Sequence, residues 1–344
     1  MKAVSKPTIL LIYTGGTIGM VKDPVSGALK AFDFNKLLKN IPELKLLDCS
    51  ISTVSFETPI DSSNMNIEEW VKMAKLIEEN YNQFDGFVVL HGSDTMSYSA
   101  SALSFMLENL HKPVVFTGSQ LPIGDLRTDA KENLITAIQV ASLQESGKPA
   151  ITEVCLYFEY KLYRGNRTTK ISAEHFNAFA SPNFSCLAES GVHLKVNEEH
   201  LLKAQNSKKL QVHTHFDNNV AIVKIFPGLS KPVIQAILSI PNLKGIVLET
   251  YGSGNAPNED WFIYELEQAI NAGIYIVNVT QCSGGSVNMG QYETSSQLKQ
   301  IGVISGKDIT TEAAITKLMY LLGQNVAPLV FKTIFETSLR GEMD

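Results

Sequence analysis

Short uninterrupted apolar runs alternate with segments of helical spacing along most of this chain. "PTILLIY", residues 7–13, has the continuous apolar character of a strand buried on both faces. "NIEEWVKMAKLIEENY", residues 66–81, has helical spacing, with acids in its first turn where the helix dipole favours them. The alternation continues through "DGFVVLHG" (strand), "TMSYSASALSFMLENL" (helix), "KPVVFTG" (strand), "DAKENLITAIQVASLQ" (helix) and "ITEVCLYFEY" (strand). Residues 198–219 turn polar and mixed, "EEHLLKAQNSKKLQVHTHFDNN", and are expected to connect two domains. Beyond them the theme repeats in "VAIVKIFPG", "KGIVLETYGSGN", "WFIYELEQAINAG" and "IYIVNVTQCSGG", with helices toward the end. The pattern predicts an α/β protein of two domains, each with a mostly parallel sheet flanked by helices. Their expected limits are residues 1–197 and 219–344, joined by 198–218.

Composition changes this picture little and narrows the partners. The 344 residues are 44% hydrophobic and 19% charged, as in an ordinary globular protein. A mild net charge of -6, spread along the chain, does not favour nucleic acid or an anionic membrane. Four scattered cysteines with no C-x-x-C suggest neither a disulfide framework nor a zinc site. No run approaches the roughly 20 apolar residues of a membrane span, and the first is too short for a signal peptide. The expected location is the cytoplasm.

In parallel sheets ligands bind beyond the carboxyl ends of the strands. There the chain places "TGGT", "HGSDT", "TGSQ" and "YGSGN": small residues, hydroxyls and one acid, Asp94. Each loop alone is an ordinary turn or cap; four together point to a site. The spacing fits neither a phosphate loop, nor a dinucleotide fingerprint, nor a serine-hydrolase elbow. His213 and His215 lack a plausible partner set for a metal and fit an exposed strand. His91 fits a structural hydrogen-bonder. The two glycines at 15 and 16 allow a sharp bend and close approach, which could aim the Thr17 hydroxyl into a cleft as a nucleophile. Thr14 is expected to support that loop.

"YTGGTIGM", "HGSDTM", "ASALSFMLENL", "LYRGNRTTK", "FASPN", "YGSGNAP" and "GVISGKDIT" occur in the order found in the bacterial type I L-asparaginases, which the chain resembles over almost its whole length. The resemblance implies hydrolysis of L-asparagine to L-aspartate and ammonia, with no cofactor and no metal. It also implies a homodimer or homotetramer whose sites are partly closed by a neighbouring subunit. Carried over position by position, Thr17 matches the nucleophile, Ser93 and Asp94 a hydroxyl–acid pair, and Lys170 a buried lysine bonded to that pair. Amides of the "GSD" loop would stabilise the oxyanion. Asp94 would hold the substrate α-ammonium; Ser62, with Asp61 and Ser63, would hold its α-carboxylate and adjoining groups. Asn255 would reach a neighbouring subunit's site.

Two departures stand out. The family usually has threonine where this chain has Ser93, which keeps the hydroxyl and loses the γ-methyl that restricts χ1. The expected lid loop, "VKDPVSGALKAF", lacks the usual tyrosine; Tyr292 matches a position that supplies the phenol in some members. Some type I enzymes also bind a second asparagine near positions matching Thr280 and Cys282, through an arginine. Here the matching residue is Glu249, whose charge would repel a carboxylate. Alternative functions are a glutaminase, a silent amino-acid sensor and the asparaginase-like subunit of a transfer-RNA amidotransferase. The last usually carries an extra N-terminal domain, and this chain begins almost at its first strand.

Overall fold

In the computed structural model, which describes residues 6–22, 29–31, 41–204, 208–290 and 293–344, the first apolar run forms strand β1 (Thr8–Gly15). Every residue of β1 after Thr8 is buried, as a strand covered on both faces requires. It lies between β2 (Ser50–Ile60) and β3 (Gly86–Leu90), parallel to both. β4 (Val114–Thr117) and β5 (Val154–Phe158) continue the parallel sheet. Beyond β5 the chain reverses through β6 (Lys161–Arg164), β7 (Ala188–Ser190) and β8 (Leu194–Val196), all paired antiparallel. The strand order is therefore β8-β7-β6-β5-β4-β3-β1-β2. The mostly parallel sheet expected from the apolar runs is present, with an antiparallel edge.

Helices α1 (Ile67–Asn80), α2 (Met96–Met106) and α3 (Ala130–Ala141) connect the parallel strands. Asn66 caps α1, its side-chain oxygen accepting from the amides of Glu68 and Glu69. Its Trp70, Met73, Ala74 and Ile77 face inward at helical spacing. The sequence pattern missed β2. This strand has only part-buried and exposed residues and sits at the sheet edge, so its text, "SISTVSFETPI", lacks a continuous apolar run. It ends at Ile60, one residue before Asp61.

By internal contacts this unit comprises Met1–Ser181 and Ser185–Thr214. Much of the expected connecting stretch belongs to it. Gln211–Val212 pairs with Leu107–Glu108, and a buried ion pair fixes residues 200–202. Arg164 Nε lies 2.7 Å from Glu153, Arg164 also donates to the His200 carbonyl, and Glu153 accepts from the Leu202 amide. Such a pair does little net for stability and much for geometry, because each charge must keep its partner.

The second unit, Pro182–Phe184 with His215–Asp344, is a separate parallel sheet. Its strands β9 (Val220–Lys224), β10 (Gly245–Thr250), β11 (Tyr275–Thr280) and β12 (Ile304–Ser305) pair in chain order. Ile246, Leu248 and Ile276 pack with Phe262 and Leu266 of helix α4 (Asp260–Asn271) in one core. Among the described residues no helix is long and apolar enough to cross a membrane.

Candidate active site

Four neighbouring parallel strands, β4, β3, β1 and β2, end side by side, and the small-residue loops follow them. The turn after β1 touches the turn after β3. Gly16 has φ 86°, in the left-handed region, and a Cβ there would lie 2.5 Å from the Gly92 nitrogen. Gly92 in turn meets the turn after β2: a Cβ on it would lie 2.5 Å from Ser62 Oγ. Without side chains at both positions, the three turns close on one point. Thr17 and Ser93 each follow a glycine at that point, and Ser62 lines it. Thr14 Oγ1 donates to the Leu90 carbonyl at 2.9 Å, pinning the first turn to β3.

The "HGSD" turn is held from within the core. His91 Nδ1 lies 2.7 Å from the Gly92 carbonyl, which only accepts, so Nδ1 carries the proton. Nε2 therefore accepts from Ser99 Oγ at 2.9 Å, and Ser99 accepts from Trp70 Nε1 at 2.9 Å. Burial pushes the His91 pKa from 6.5 down to about 4, so the ring is neutral at neutral pH. His91 is thus a structural hydrogen-bonder. Among the described residues the amides of Gly92, Ser93 and Asp94 have no protein acceptor.

Lys170 reaches this turn from a two-stranded hairpin, Thr169–Lys170 against Phe179–Ala180. Its ammonium donates to Ser93 Oγ at 2.8 Å and to Asp94 Oδ1 at 2.7 Å. The lysine is less enclosed than expected: 18% of its side chain is exposed, against 63% for Asp94, so both charges meet solvent. Ser93 Oγ also donates to Gln120 Oε1 at 3.1 Å. Asp61 accepts from the Ser63 amide and hydroxyl, and the Ser62 carbonyl accepts from Thr95 Oγ1 at 2.7 Å. The structure thus brings Thr17, Ser62, Ser93, Asp94 and Lys170 to one set of strand ends, with Asp61 and Ser63 flanking Ser62.

Comparison with known proteins gives the family. Residues 8–202 match the family description "Asparaginase, N-terminal", and residues 219–335 match "Glutaminase/Asparaginase C-terminal domain". The chain belongs to the asparaginase family. It is 44% identical to L-asparaginase 1 of Escherichia coli K12, over 99% of each chain. It is also 42% identical to the 60 kDa lysophospholipase of Mus musculus, over 97% of this chain and 62% of that one. The crystal structure of L-asparaginase I from Vibrio cholerae superposes with a TM-score of 0.90 at 40% identity, over 98% of this chain and 99% of that chain. The family read from the motifs is the one these comparisons return.

Asn255 belongs to the second unit, where its backbone pairs with Tyr251 in the turn after β10. Tyr292 and most of the expected lid lie outside the described residues; of the lid, the stem Met20–Lys22 against Leu29–Ala31 is described. His213 takes no exposed strand position: it is part-buried and its Nε2 lies 2.7 Å from Glu108. Glu249 accepts from Thr311 Oγ1 at 2.7 Å and lies 3.6 Å from Lys224 Nζ. The sequence reading assigned no role to Gln120 or Asp129. The signal for Gln120 was its place in "TGSQ", a strand-end loop already marked.

Proposed function

We propose that this protein is an L-asparaginase, hydrolysing the side-chain amide of L-asparagine to L-aspartate and ammonia, with Thr17 as nucleophile. One observation carries the reading. A single ammonium, Lys170, donates at once to a hydroxyl and a carboxylate at the strand ends where the Thr17 turn touches theirs.

In this reading Thr17 Oγ1 attacks the amide carbon, its proton passes to the leaving nitrogen, and the C–N bond of the tetrahedral adduct breaks to release ammonia and leave an acyl-enzyme ester. Water then attacks the ester and returns the proton to Thr17. Lys170 polarises Ser93 and stabilises an oxygen-centred negative charge in the proton path. The unpartnered amides of the "GSD" turn serve the oxyanion, which is where preorganised donors contribute most. Lys170 occupies Asp94 Oδ1, and the rest of this exposed carboxylate takes the substrate α-ammonium. Ser62, flanked by Asp61 and Ser63, takes the α-carboxylate. By family resemblance the enzyme is a cytoplasmic homodimer or homotetramer, Asn255 reaches a neighbouring subunit's site, and Tyr292 supplies the phenol absent from the lid.

The test is ammonia release from asparagine by the unmodified protein, Thr17→Val, Lys170→Met and their double variant. Each single variant should stay folded and lose nearly all turnover, and the double should be little worse, because groups acting as a unit lose function non-additively. Full turnover in either single variant refutes the assignment. An unmodified protein that binds asparagine without releasing ammonia is a sensor.

A further inference from the structure

We infer that Gln120 is a positioning residue for this reaction, fixing the Ser93 hydroxyl and tying it to the hairpin that carries Lys170. The inference rests on the asparaginase reading above. A serine has three staggered χ1 wells and no γ-methyl to choose among them. Its hydroxyl has one proton to give. Lys170 is a donor only, so it occupies a lone pair of Ser93 Oγ and leaves the proton to find an acceptor elsewhere. That acceptor is Gln120 Oε1, at 3.1 Å.

The other end of the same carboxamide decides which atom faces Ser93. Gln120 Nε2 lies 3.1 Å from the His175 carbonyl, which only accepts, so the nitrogen must sit there and the oxygen must face Ser93. Both anchors are themselves held. The Gln120 and Leu121 amides donate to the Asp129 carboxylate at 2.9 and 3.2 Å, and Asp129 is buried. Asn133 Nδ2 donates to the same carboxylate at 3.2 Å. On the far side, the His175 amide donates to Ser172 Oγ at 2.9 Å, and the Ile171 amide to the Ala178 carbonyl at 2.7 Å. Gln120 therefore spans from the turn after β4 to the Lys170 hairpin and holds Ser93 between them. It does by hydrogen bonding what a threonine γ-methyl does by crowding. The two devices are alternatives, so removing one should matter only where the other is missing.

The experiment measures ammonia release for Gln120→Leu and Gln120→Glu, each in the natural protein and in Ser93→Thr. In the natural protein Gln120→Leu should lower kcat about tenfold, the effect of one lost hydrogen bond, with KM within about twofold. Gln120→Glu keeps the acceptor toward Ser93 but loses the donor to the His175 carbonyl, so in the natural protein it should lower kcat by less than Gln120→Leu does. In Ser93→Thr the leucine change should lower kcat by less than about twofold, a coupling that independent sites do not show. Equal losses in both backgrounds, a loss confined to KM, or no loss at all would overturn the inference. So would a folded Gln120→Glu protein whose kcat loss is equal in the natural and Ser93→Thr backgrounds, which decides the matter if the leucine variant does not fold. An unmodified protein that releases no ammonia overturns the asparaginase reading and this inference together. An active one indifferent to Gln120→Leu overturns this inference alone.

Discussion

Acidification should destabilise the first unit through His91, and replacing that residue should remove the effect. In the folded protein its pKa is lowered from 6.5 to about 4, first by burial, against the opposing effect of the Gly92 carbonyl. A lowered pKa means that the unfolded chain binds the proton more readily. The contribution of neutral His91 is therefore complete above pH 6.5 and is lost as pH falls through about 4. At about 1.4 kcal/mol per pH unit this amounts to roughly 3 kcal/mol, a large share of a typical domain's 5–15 kcal/mol. The hydrogen bonds explain why the site resists protonation. Nδ1–H already donates to Gly92, and a proton on Nε2 would face Ser99 Oγ, which now donates to that nitrogen while accepting from Trp70. Ser99 would then have to accept from both rings and turn its own proton away to another acceptor. His91 is fully buried, and its ring packs against Phe116 at 5.8 Å between centroids.

The comparison is His91→Asn, whose amide can still donate to the Gly92 carbonyl and does not titrate. Of the two tryptophans, Trp261 belongs to the second unit, so a Trp261→Phe background leaves Trp70, bonded to Ser99, as the reporter of this unit. Urea denaturation followed by that fluorescence, from neutral pH to about pH 4, gives stability for both proteins. His91→Asn should be the less stable at neutral pH, having lost the ring contacts. The gap should close by about 3 kcal/mol on acidification, because every other group titrates in both. A gap constant to within about 0.5 kcal/mol would refute the reasoning.

Ser93→Thr should keep ammonia release within about tenfold, under roughly 1.4 kcal/mol of barrier, while Ser93→Ala should lose far more. Equal activity in the two would make Ser93 a mere loop residue. Initial rates across a wide asparagine range should be hyperbolic, because Glu249 is engaged by Thr311 and Lys224 and presents a carboxylate where an asparagine-binding switch needs a cation. A sigmoidal curve abolished by changes at Thr280 or Cys282 would contradict this. In the second unit the Lys317 ammonium is fully buried, paired with Glu342 and donating to the Phe335 and Thr337 carbonyls. Glu342→Leu should destabilise by about 3–5 kcal/mol through the stranded charge, and the double change Lys317→Met, Glu342→Leu should recover part of that loss. Additive losses in urea denaturation would show that the pair is not coupled.

The sequence by itself determined the alternation of strands and helices, the family, and the residues gathered at strand ends. Each of these is written locally. A strand covered on both faces must be apolar throughout, as Ile9–Tyr13 is, and a turn of closest approach must lack side chains, as at Gly16 and Gly92. The tertiary structure decided what depends on a partner distant in the chain. β2 is a strand because β1 offers it an edge, and its own half-exposed text gives little sign of that. Lys170 meets Ser93 across 77 positions, and Gln120 reaches forward 55 positions to His175. Asp129 looked like the start of a helix, and its carboxylate is spent on the turn that carries Gln120. A buried polar atom must find a partner, but the sequence states only that the need exists. Which atom satisfies it follows from how the strands line up, and that alignment is set by the packing of the whole sheet.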